Sequence, residues 1–238
     1  AMSPIIEAGS CPELKAFLGD NEDVCKVPTL VMAIVGAAGT GKTTVLRIIE
    51  PFSDFFLGDE SMRKSAPTNT ASRVCGGDTC HALYKLPFGS LKTKRGQLSA
   101  AYILEYRKRW RGVQIQNIDE VGMLAPNSLC QIEVRSRTAN NQSHSLFGGL
   151  ATLLTGDFLQ LPHPTLPSLA TAVDDITGSF ASQASRNKNS AHESGGEEDS
   201  EDQEEATVEH RQGFQIWRRI TNVVHLTLNL RSPGALAD

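Results

Sequence analysis

The sequence of 238 residues is notable first for what it lacks. It has no apolar run near the roughly 18–20 residues of a membrane-spanning helix, so we expect no association with a membrane. Its N-terminus lacks a basic stretch followed by an apolar one, so we predict no signal peptide from this sequence. The five cysteines are odd in number and scattered, which argues against a disulfide framework and indicates a reducing, intracellular compartment.

Negative charge is confined to one part of the chain. Residues 164–210 contain 11 acidic and two basic residues, although the whole chain has a net charge of −4. A segment this acidic and poor in large apolar residues cannot offset its chain entropy by burial, so we predict a disordered insertion. The rest of the chain is mildly basic, which permits a polyanionic partner.

Apolar runs alternate with helical patterns along the remaining chain. Strands are predicted at 29–35, 113–118, 150–155 and 223–230, of which 29–35 and 150–155 are predicted to be buried. Helices begin near Thr43, Ser99 and Ser128. This alternation predicts an α/β fold with a parallel sheet flanked by helices. The domain plan is an N-terminal extension (1–28), a core (29–163), the acidic low-complexity insertion (164–210) and the end of the core (211–238).

Three polar motifs follow apolar strands directly, and the carboxyl ends of parallel strands share one edge of a sheet. The first motif is GAAGTGKTT, a full match to the phosphate-binding G-x-x-x-x-G-K-[ST] loop. Its backbone amides and the following helix N-terminus favour a nucleotide phosphate, with Lys42 reaching the β and γ phosphates and Thr43 binding Mg²⁺. The alternative is a structural glycine turn. The predicted nucleotide-binding residues are Gly36, Ala37, Ala38, Gly39, Thr40, Gly41, Lys42, Thr43 and Thr44.

The second motif is the acidic pair Asp119-Glu120, at the end of the strand VQIQNI. Beside a phosphate loop, Asp119 is expected to hold Mg²⁺ and Glu120 to orient or deprotonate an attacking water. A helix N-cap is the alternative interpretation.

The third motif is GDFLQLP, in which Gln160 can hydrogen-bond a γ phosphate and a water. An ordinary polar loop is the alternative. Arg231 follows the last predicted strand and is a candidate for stabilising charge on the transferred phosphate, or else a solvated arginine.

Two further segments suggest a second ligand. They are SAPTNTA and GGDTCH, whose hydroxyls, amides and imidazole suit phosphate and sugar contacts along a single nucleic-acid strand. A capped helix and a turn explain them nearly as well. The basic run RKRWR (107–111) is a further candidate for phosphate contact, or a solvated helix end.

Taken together and in order, the motifs resemble those of Pif-type DNA helicases of superfamily one, relatives of RecD that include the helicase part of Helitron transposases. The motifs are GAAGTGKT, APTNTA, GGDTCHALYKL, IDEVGML, GDFLQLP and LTLNLR, together with the stretch 132–149. The chain departs from the family pattern in the polar strand QNI before the acidic pair and in the acidic insertion.

The resemblance implies a RecA-like P-loop domain of an ATP-driven, 5′-to-3′ DNA helicase acting in replication, repair, recombination or telomere maintenance. It implies ATP and Mg²⁺ as cofactors and single-stranded DNA as partner, and it places Thr68, Asn69 and His81 against that DNA. It assigns ATP and Mg²⁺ to Lys42 and Thr43, hydrolysis to Asp119 and Glu120, γ-phosphate sensing to Gln160 and an arginine contact to Arg231. Lys42, Glu120, Gln160 and Arg231 are the predicted catalytic residues. The expected compartment is the nucleus or mitochondrion in a eukaryote and otherwise the cytoplasm.

The chain ends seven residues after Arg231, so we expect the second RecA-like domain of the motor to be missing from it. Two other functions are compatible with the sequence. One is a truncated, non-enzymatic relic that binds a protein partner through its acidic insertion. The other is a P-loop ATPase that acts on protein.

Overall fold

The computed structural model of the chain describes residues 29–87, 91, 96–160, 168–170 and 198–230. The N-terminal extension, Arg231 and most of the acidic insertion lie outside the described residues. The strands are β1 (Val31–Gly36), β2 (Met62–Ala66), β3 (Asp78–Thr79), β4 (Ile115–Ile118), β5 (Ala151–Gly156) and β6 (Asn222–Leu226). The helices are α1 (Lys42–Leu57), α2 (Asn69–Cys75), α3 (Cys80–Tyr84), α4 (Ala100–Arg109), α5 (Pro126–Asn140) and α6 (Glu198–Arg218). Among these helices none is long and apolar enough to span a membrane.

The six strands form one sheet in the order β3-β2-β4-β5-β1-β6, and every neighbouring pair is parallel. All strands therefore present their carboxyl ends at the same edge, with β4, β5 and β1 side by side at the centre. The predicted α/β fold with a parallel sheet is confirmed, and the four predicted strands correspond to β1, β4, β5 and β6.

The two faces of the sheet are covered unequally. Alternate residues of a strand point to opposite faces. One face carries the larger core, to which β1, β4 and β5 contribute Val31, Ala33, Val35, Ile118 and Leu154. The opposite face holds a smaller cluster, in which Leu46 of α1 packs on Met62 and Leu153. The helix that follows the glycine loop therefore lies on the more thinly covered face.

Helix α6 begins inside the segment that was predicted to be disordered. The amino-acid sequence of this helix is compatible with its conformation, because Glu is a good helix former. Glu209 and His210 are buried, and the Glu209 carboxylate accepts hydrogen bonds from the Leu91 amide (2.8 Å) and Gln131 Nε2 (2.7 Å). Residues 198–210 are therefore helical where disorder was predicted, and at Glu209 and His210 the reason is tertiary packing that composition does not reveal.

Helices α5 and α6 cross at very close range. A Cβ atom placed on Gly213 of α6 would lie 1.8 Å from the carbonyl oxygen of Pro126, at the start of α5. Glycine is a poor helix former, but here its lack of a side chain permits this backbone approach. The crossing places α6 against the larger core, to which Ile216 and Trp217 add partly buried side chains.

Candidate functional site

The carboxyl ends of β1, β4 and β5 enclose a cleft of about 290 Å³. Most of its lining comes from the loop after β1, the acidic pair after β4 and the loop after β5, so the three motifs that the sequence placed at strand ends lie together. The lining residues are Ala38, Gly39, Gly41, Lys42, Thr43, Thr44, Val74, Asp119, Glu120, Gln160 and Leu230.

The glycine loop turns tightly from β1 into α1. Gly41 precedes the helix with a φ of +93°, a left-handed conformation that residues with a Cβ adopt at a cost. Lys42 Nζ donates to the carbonyl oxygens of Gly36 (2.6 Å) and Ala37 (3.1 Å), so the ammonium group lies across the loop. The loop thus presents a cation beside the backbone amides of a helix N-terminus, a combination that attracts anions.

Asp119 lies at the end of β4 and is 8% exposed. Its Oδ1 atom accepts hydrogen bonds from the Thr155 hydroxyl (2.7 Å) and from the Glu120 amide (2.9 Å). These two donors fix the orientation of the carboxylate group. With the Thr43 hydroxyl in the same cleft, the site offers the hard oxygen donors that Mg²⁺ prefers.

Glu120 is held in an unusual backbone conformation, with a φ of +53° and a ψ of +44°. Burial raises the pKa of its carboxyl group, the Asp119 carboxylate raises the pKa further, and the Lys42 ammonium acts in the opposite direction. Asp157 adds a smaller increase in the pKa. A carboxylate with a raised pKa is a better proton acceptor near neutral pH, which suits the predicted role as a base.

The loop after β5 begins with a buried aspartate. Asp157 Oδ1 accepts a hydrogen bond from the Leu159 amide (2.9 Å), which fixes the start of the turn that carries Gln160. Gln160 itself is exposed and lines the cleft. The position predicted for a γ-phosphate contact is therefore at the mouth of the site.

The predicted DNA-contacting residues lie at the same edge of the sheet but beyond β4. Thr68 follows β2 and caps α2 by accepting a hydrogen bond from the Ala71 amide (3.2 Å). Asn69 opens α2, and His81 lies in the first turn of α3, where it is exposed. At the far end of α2, Val74 lines the cleft, so this short helix connects the two regions. The capping alternative is thus realised at Thr68, while DNA contact there stays a prediction.

Two other candidates have different outcomes. In the basic run, Arg107 donates to the Thr138 carbonyl oxygen (2.9 Å) and Trp110 is buried in the core, so part of that run has a structural role. Arg231 lies outside the described residues. The preceding residue, Leu230, donates its amide to the Gly39 carbonyl oxygen (2.9 Å), which ties the chain after β6 to the glycine loop.

A family model described as PIF1-like helicase matches residues 18–180. The chain belongs to the PIF1-like helicase family. It is 33% identical over 127 residues to the ATP-dependent DNA helicase RRM3 of Saccharomyces cerevisiae, a match that covers 53% of this chain and 17% of RRM3. It is 35% identical over 151 residues to the ATP-dependent DNA helicase PIF3 of Trypanosoma brucei brucei, covering 60% of this chain and 16% of PIF3. These matches thus span a small share of each relative, and the predicted family resemblance is confirmed.

Solved structures of PIF1-like helicases share the fold. The Bacteroides Pif1 bound to single-stranded DNA matches 88% of this chain and 40% of its own, with a TM-score of 0.53 and 21% identity. The Candida albicans Pif1 helicase matches 94% of this chain and 41% of its own, with a TM-score of 0.53 and 19% identity. At these identities the likeness supports the RecA-like fold alone.

Sequence reasoning missed two polar residues of the site. Thr155 and Asp157 are both buried, and they hold Asp119 and the Gln160 turn respectively. The available signal was the polar residue at the end of the apolar run LATLLT, followed by the aspartate of GDFLQLP. A threonine at the end of a strand is common in sheets, so Thr155 by itself carries no functional signal.

Proposed function

We propose that this chain is a nucleotide-hydrolysing motor domain of an ATP-dependent DNA helicase of the PIF1-like family, with 5′-to-3′ movement on single-stranded DNA. The observation that carries the proposal is the single cleft in which Lys42, Thr43, Asp119, Glu120 and Gln160 meet. The RRM3 and PIF3 relatives are named ATP-dependent DNA helicases, which supports the same activity.

In this proposal the glycine loop binds the phosphates of ATP. The loop amides and Lys42 Nζ neutralise the β and γ phosphates, with Lys42 leaving the Gly36 and Ala37 carbonyl oxygens to do so. Thr43 and Asp119 hold Mg²⁺, which supplies charge neutralisation to the phosphates when bound. A solved Bacteroides Pif1 in complex with ADP-AlF4, 22% identical with a TM-score of 0.52, is consistent with a nucleotide at this fold.

Hydrolysis is assigned to the residues at the mouth of the cleft. Glu120 takes the proton of the attacking water, and Gln160 hydrogen-bonds the γ phosphate and that water. Arg231 stabilises charge on the transferred phosphoryl group. The family resemblance supports this role of Arg231, which lies outside the described residues.

The nucleotide part of the proposal is tested by binding of a fluorescent, non-hydrolysable ATP analogue in the presence of Mg²⁺. We expect Lys42→Ala to weaken binding at least about tenfold, the equivalent of about 1.4 kcal/mol. Lys108→Ala, which removes an exposed lysine of α4, is expected to bind as the wild type does. Absence of binding by the wild type, or equal binding by the Lys42 variant, would overturn the proposal.

Single-stranded DNA is the proposed polymer substrate, and Thr68, Asn69 and His81 are its proposed contacts. They lie at the carboxyl edge of β2 and β3, and α2 leads from this region to the nucleotide cleft. The Bacteroides Pif1 that was solved with bound single-stranded DNA supports this substrate class. A shared helix gives DNA and nucleotide a route by which binding of one affects the other.

Two substitutions at Thr68 separate DNA contact from helix capping. Thr68→Asp keeps an N-cap of comparable quality but adds a negative charge, whereas Thr68→Ala removes the cap at a cost of about 1 kcal/mol. We expect Thr68→Asp to be as stable as the wild type and to bind an oligo-dT strand more weakly than Thr68→Ala, by fluorescence anisotropy at two salt concentrations. Equal DNA binding by Thr68→Asp and the wild type would leave Thr68 with its capping role alone.

Unwinding by the whole motor requires a second RecA-like domain that closes over ATP, and we propose such a domain as the partner of this one. The processes that fit this activity are DNA replication, repair, recombination and telomere maintenance. ATP turnover that rises on addition of single-stranded DNA would favour a DNA motor over an ATPase acting on protein.

A further inference from the structure

Thr155 is the last threonine of β5 and lies opposite Asp119. The strand register pairs Ile118 with Leu154, so the next residue of each strand, Asp119 and Thr155, face each other. The Thr155 side chain is fully buried, on the same sheet face as Leu153 and α1. Its hydroxyl is therefore directed toward the acidic pair from inside the protein.

The Thr155 hydroxyl has a single proton and two acceptors near it. Asp119 Oδ1 lies 2.7 Å from Oγ1, whereas Asn117 Oδ1 lies 3.4 Å away. The shorter contact to a charged acceptor is the stronger hydrogen bond. The Thr155 hydroxyl therefore donates its hydrogen bond to Asp119 and not to Asn117.

Asp119 Oδ1 is occupied by this hydroxyl and by the Glu120 amide at 2.9 Å. Two donors on one oxygen use both of its lone pairs. The other oxygen, Oδ2, is thereby left for a metal ion, and the carboxylate is held in one rotation about its side-chain bond.

We propose that Thr155 is a positioning residue that orients Asp119 for Mg²⁺ through this hydrogen bond. The proposal deepens the proposed nucleotide-binding function and rests on it. Partners behind a metal ligand typically contribute about 10–100-fold to metal affinity or activity. Thr155 lies outside the glycine loop and the acidic pair, and its part is to hold a ligand without touching the metal or the nucleotide.

The same strand offers a matched control. Thr152 is equally buried on the opposite face of β5, where its hydroxyl donates to the Leu150 carbonyl oxygen (3.0 Å) and accepts from Gln116 Nε2 (2.9 Å). Thr152→Val removes a buried hydroxyl of the same kind from the same strand without touching Asp119. We expect Thr152→Val to lower the stability of the protein as Thr155→Val does, but to leave Mg²⁺ binding unchanged.

The experiment titrates Mg²⁺ into the whole chain with a fluorescent, non-hydrolysable ATP analogue and compares Thr155→Val, Thr155→Ser, Thr152→Val and the wild type. Nucleotide affinity in EDTA is measured in parallel, with Thr155→Ala added if the valine variant does not fold. We expect Thr155→Val to raise the Mg²⁺ concentration for half-maximal binding about tenfold or more, with EDTA affinity unchanged. Thr155→Ser keeps the hydroxyl, so its Mg²⁺ concentration for half-maximal binding should lie within about twofold of the wild-type value. Thr152→Val should match the wild type.

The results distinguish the two proposals. If the wild type shows no Mg²⁺-dependent nucleotide binding, the proposed function fails. If the wild type binds but Thr155→Val and Thr155→Ala keep its Mg²⁺ dependence, or Thr152→Val shows an equal loss, the positioning role of Thr155 is overturned.

Discussion

At the scale of single residues, Glu120 is energetically unfavourable in both its backbone conformation and the environment of its carboxyl group. Its backbone is left-handed, and its carboxyl group is half-buried beside another carboxylate, which raises its pKa. A left-handed conformation costs a residue with a Cβ roughly 1–2 kcal/mol. Unfavourable backbone angles of this kind concentrate at functional sites, where the surrounding structure maintains them. Here the loops after β4 and β5 pack closely, since a Cβ atom placed on Gly122 would lie 2.6 Å from the Asp157 carbonyl oxygen.

Substitution of Glu120 separates the chemical role from the backbone cost. Glu120→Gln removes the proton acceptor but keeps the side-chain shape, so we expect ATP hydrolysis to fall by about 10²-fold or more while nucleotide binding is retained. Glu120→Gly also removes the backbone cost, so its free energy of unfolding in urea should exceed that of Glu120→Gln by about 1 kcal/mol. Wild-type turnover by Glu120→Gln would exclude Glu120 as the base.

At the scale of elements, the crossing of α5 and α6 determines how the end of the chain joins the sheet. Gly213 permits the contact with Pro126, and the buried Glu209 carboxylate is compensated by Gln131 and by the Leu91 amide. Helix propensity and packing make opposite predictions at Gly213. Alanine is favoured there by about 1 kcal/mol on propensity, but its Cβ has no room.

We expect packing to dominate, because the added atom meets backbone that cannot rotate away. Gly213→Ala should lower the free energy of unfolding by about 1–3 kcal/mol, measured by urea denaturation. Arg211→Ala, at an exposed position of α6, serves as the control and should change it by less than about 0.5 kcal/mol. An increase in stability for Gly213→Ala would show that the helices separate at little cost.

At the scale of the whole molecule, the sheet order divides the carboxyl edge into two regions. The proposed nucleotide cleft lies over β4, β5 and β1, and the proposed DNA contacts follow β2 and β3. Helix α2 joins the two, with Thr68 at one end and Val74 at the other. The arrangement predicts that each ligand protects a different part of the edge.

Hydrogen exchange followed by mass spectrometry tests this division. A bound, non-hydrolysable Mg-ATP analogue should slow exchange in 36–45, 118–123 and 155–160, and single-stranded DNA should slow it in 67–71 and 79–84. Lys42→Ala should abolish the first effect and leave the second. Protection by nucleotide confined to the β2 and β3 region would contradict the assignment of the cleft.

The sequence predicted much of this fold because the relevant signals are local. An apolar run such as TLVMAIV is typical of a strand that is buried on both faces of a parallel sheet. A glycine loop before a helix is typical of a tight turn whose backbone amides bind phosphate. The prediction of disorder failed at Glu209 because an acidic composition does not reveal the hydrogen bond that this residue accepts from Gln131 of α5. Burial of a charged residue depends on partners far away in the chain.

The sequence by itself determined the parallel α/β fold and the glycine loop, and its strand-end motifs indicated one shared edge. The tertiary structure alone decided that Thr155 faces Asp119, that Gly213 meets Pro126, and that the nucleotide cleft and the proposed DNA region occupy neighbouring halves of that edge. The physical reason is the separation along the sequence of the residues that interact. Strand and loop signals arise from neighbouring residues, whereas strand order and helix crossing bring together residues separated by tens of positions, and their hydrogen bonds exist only once the sheet is assembled.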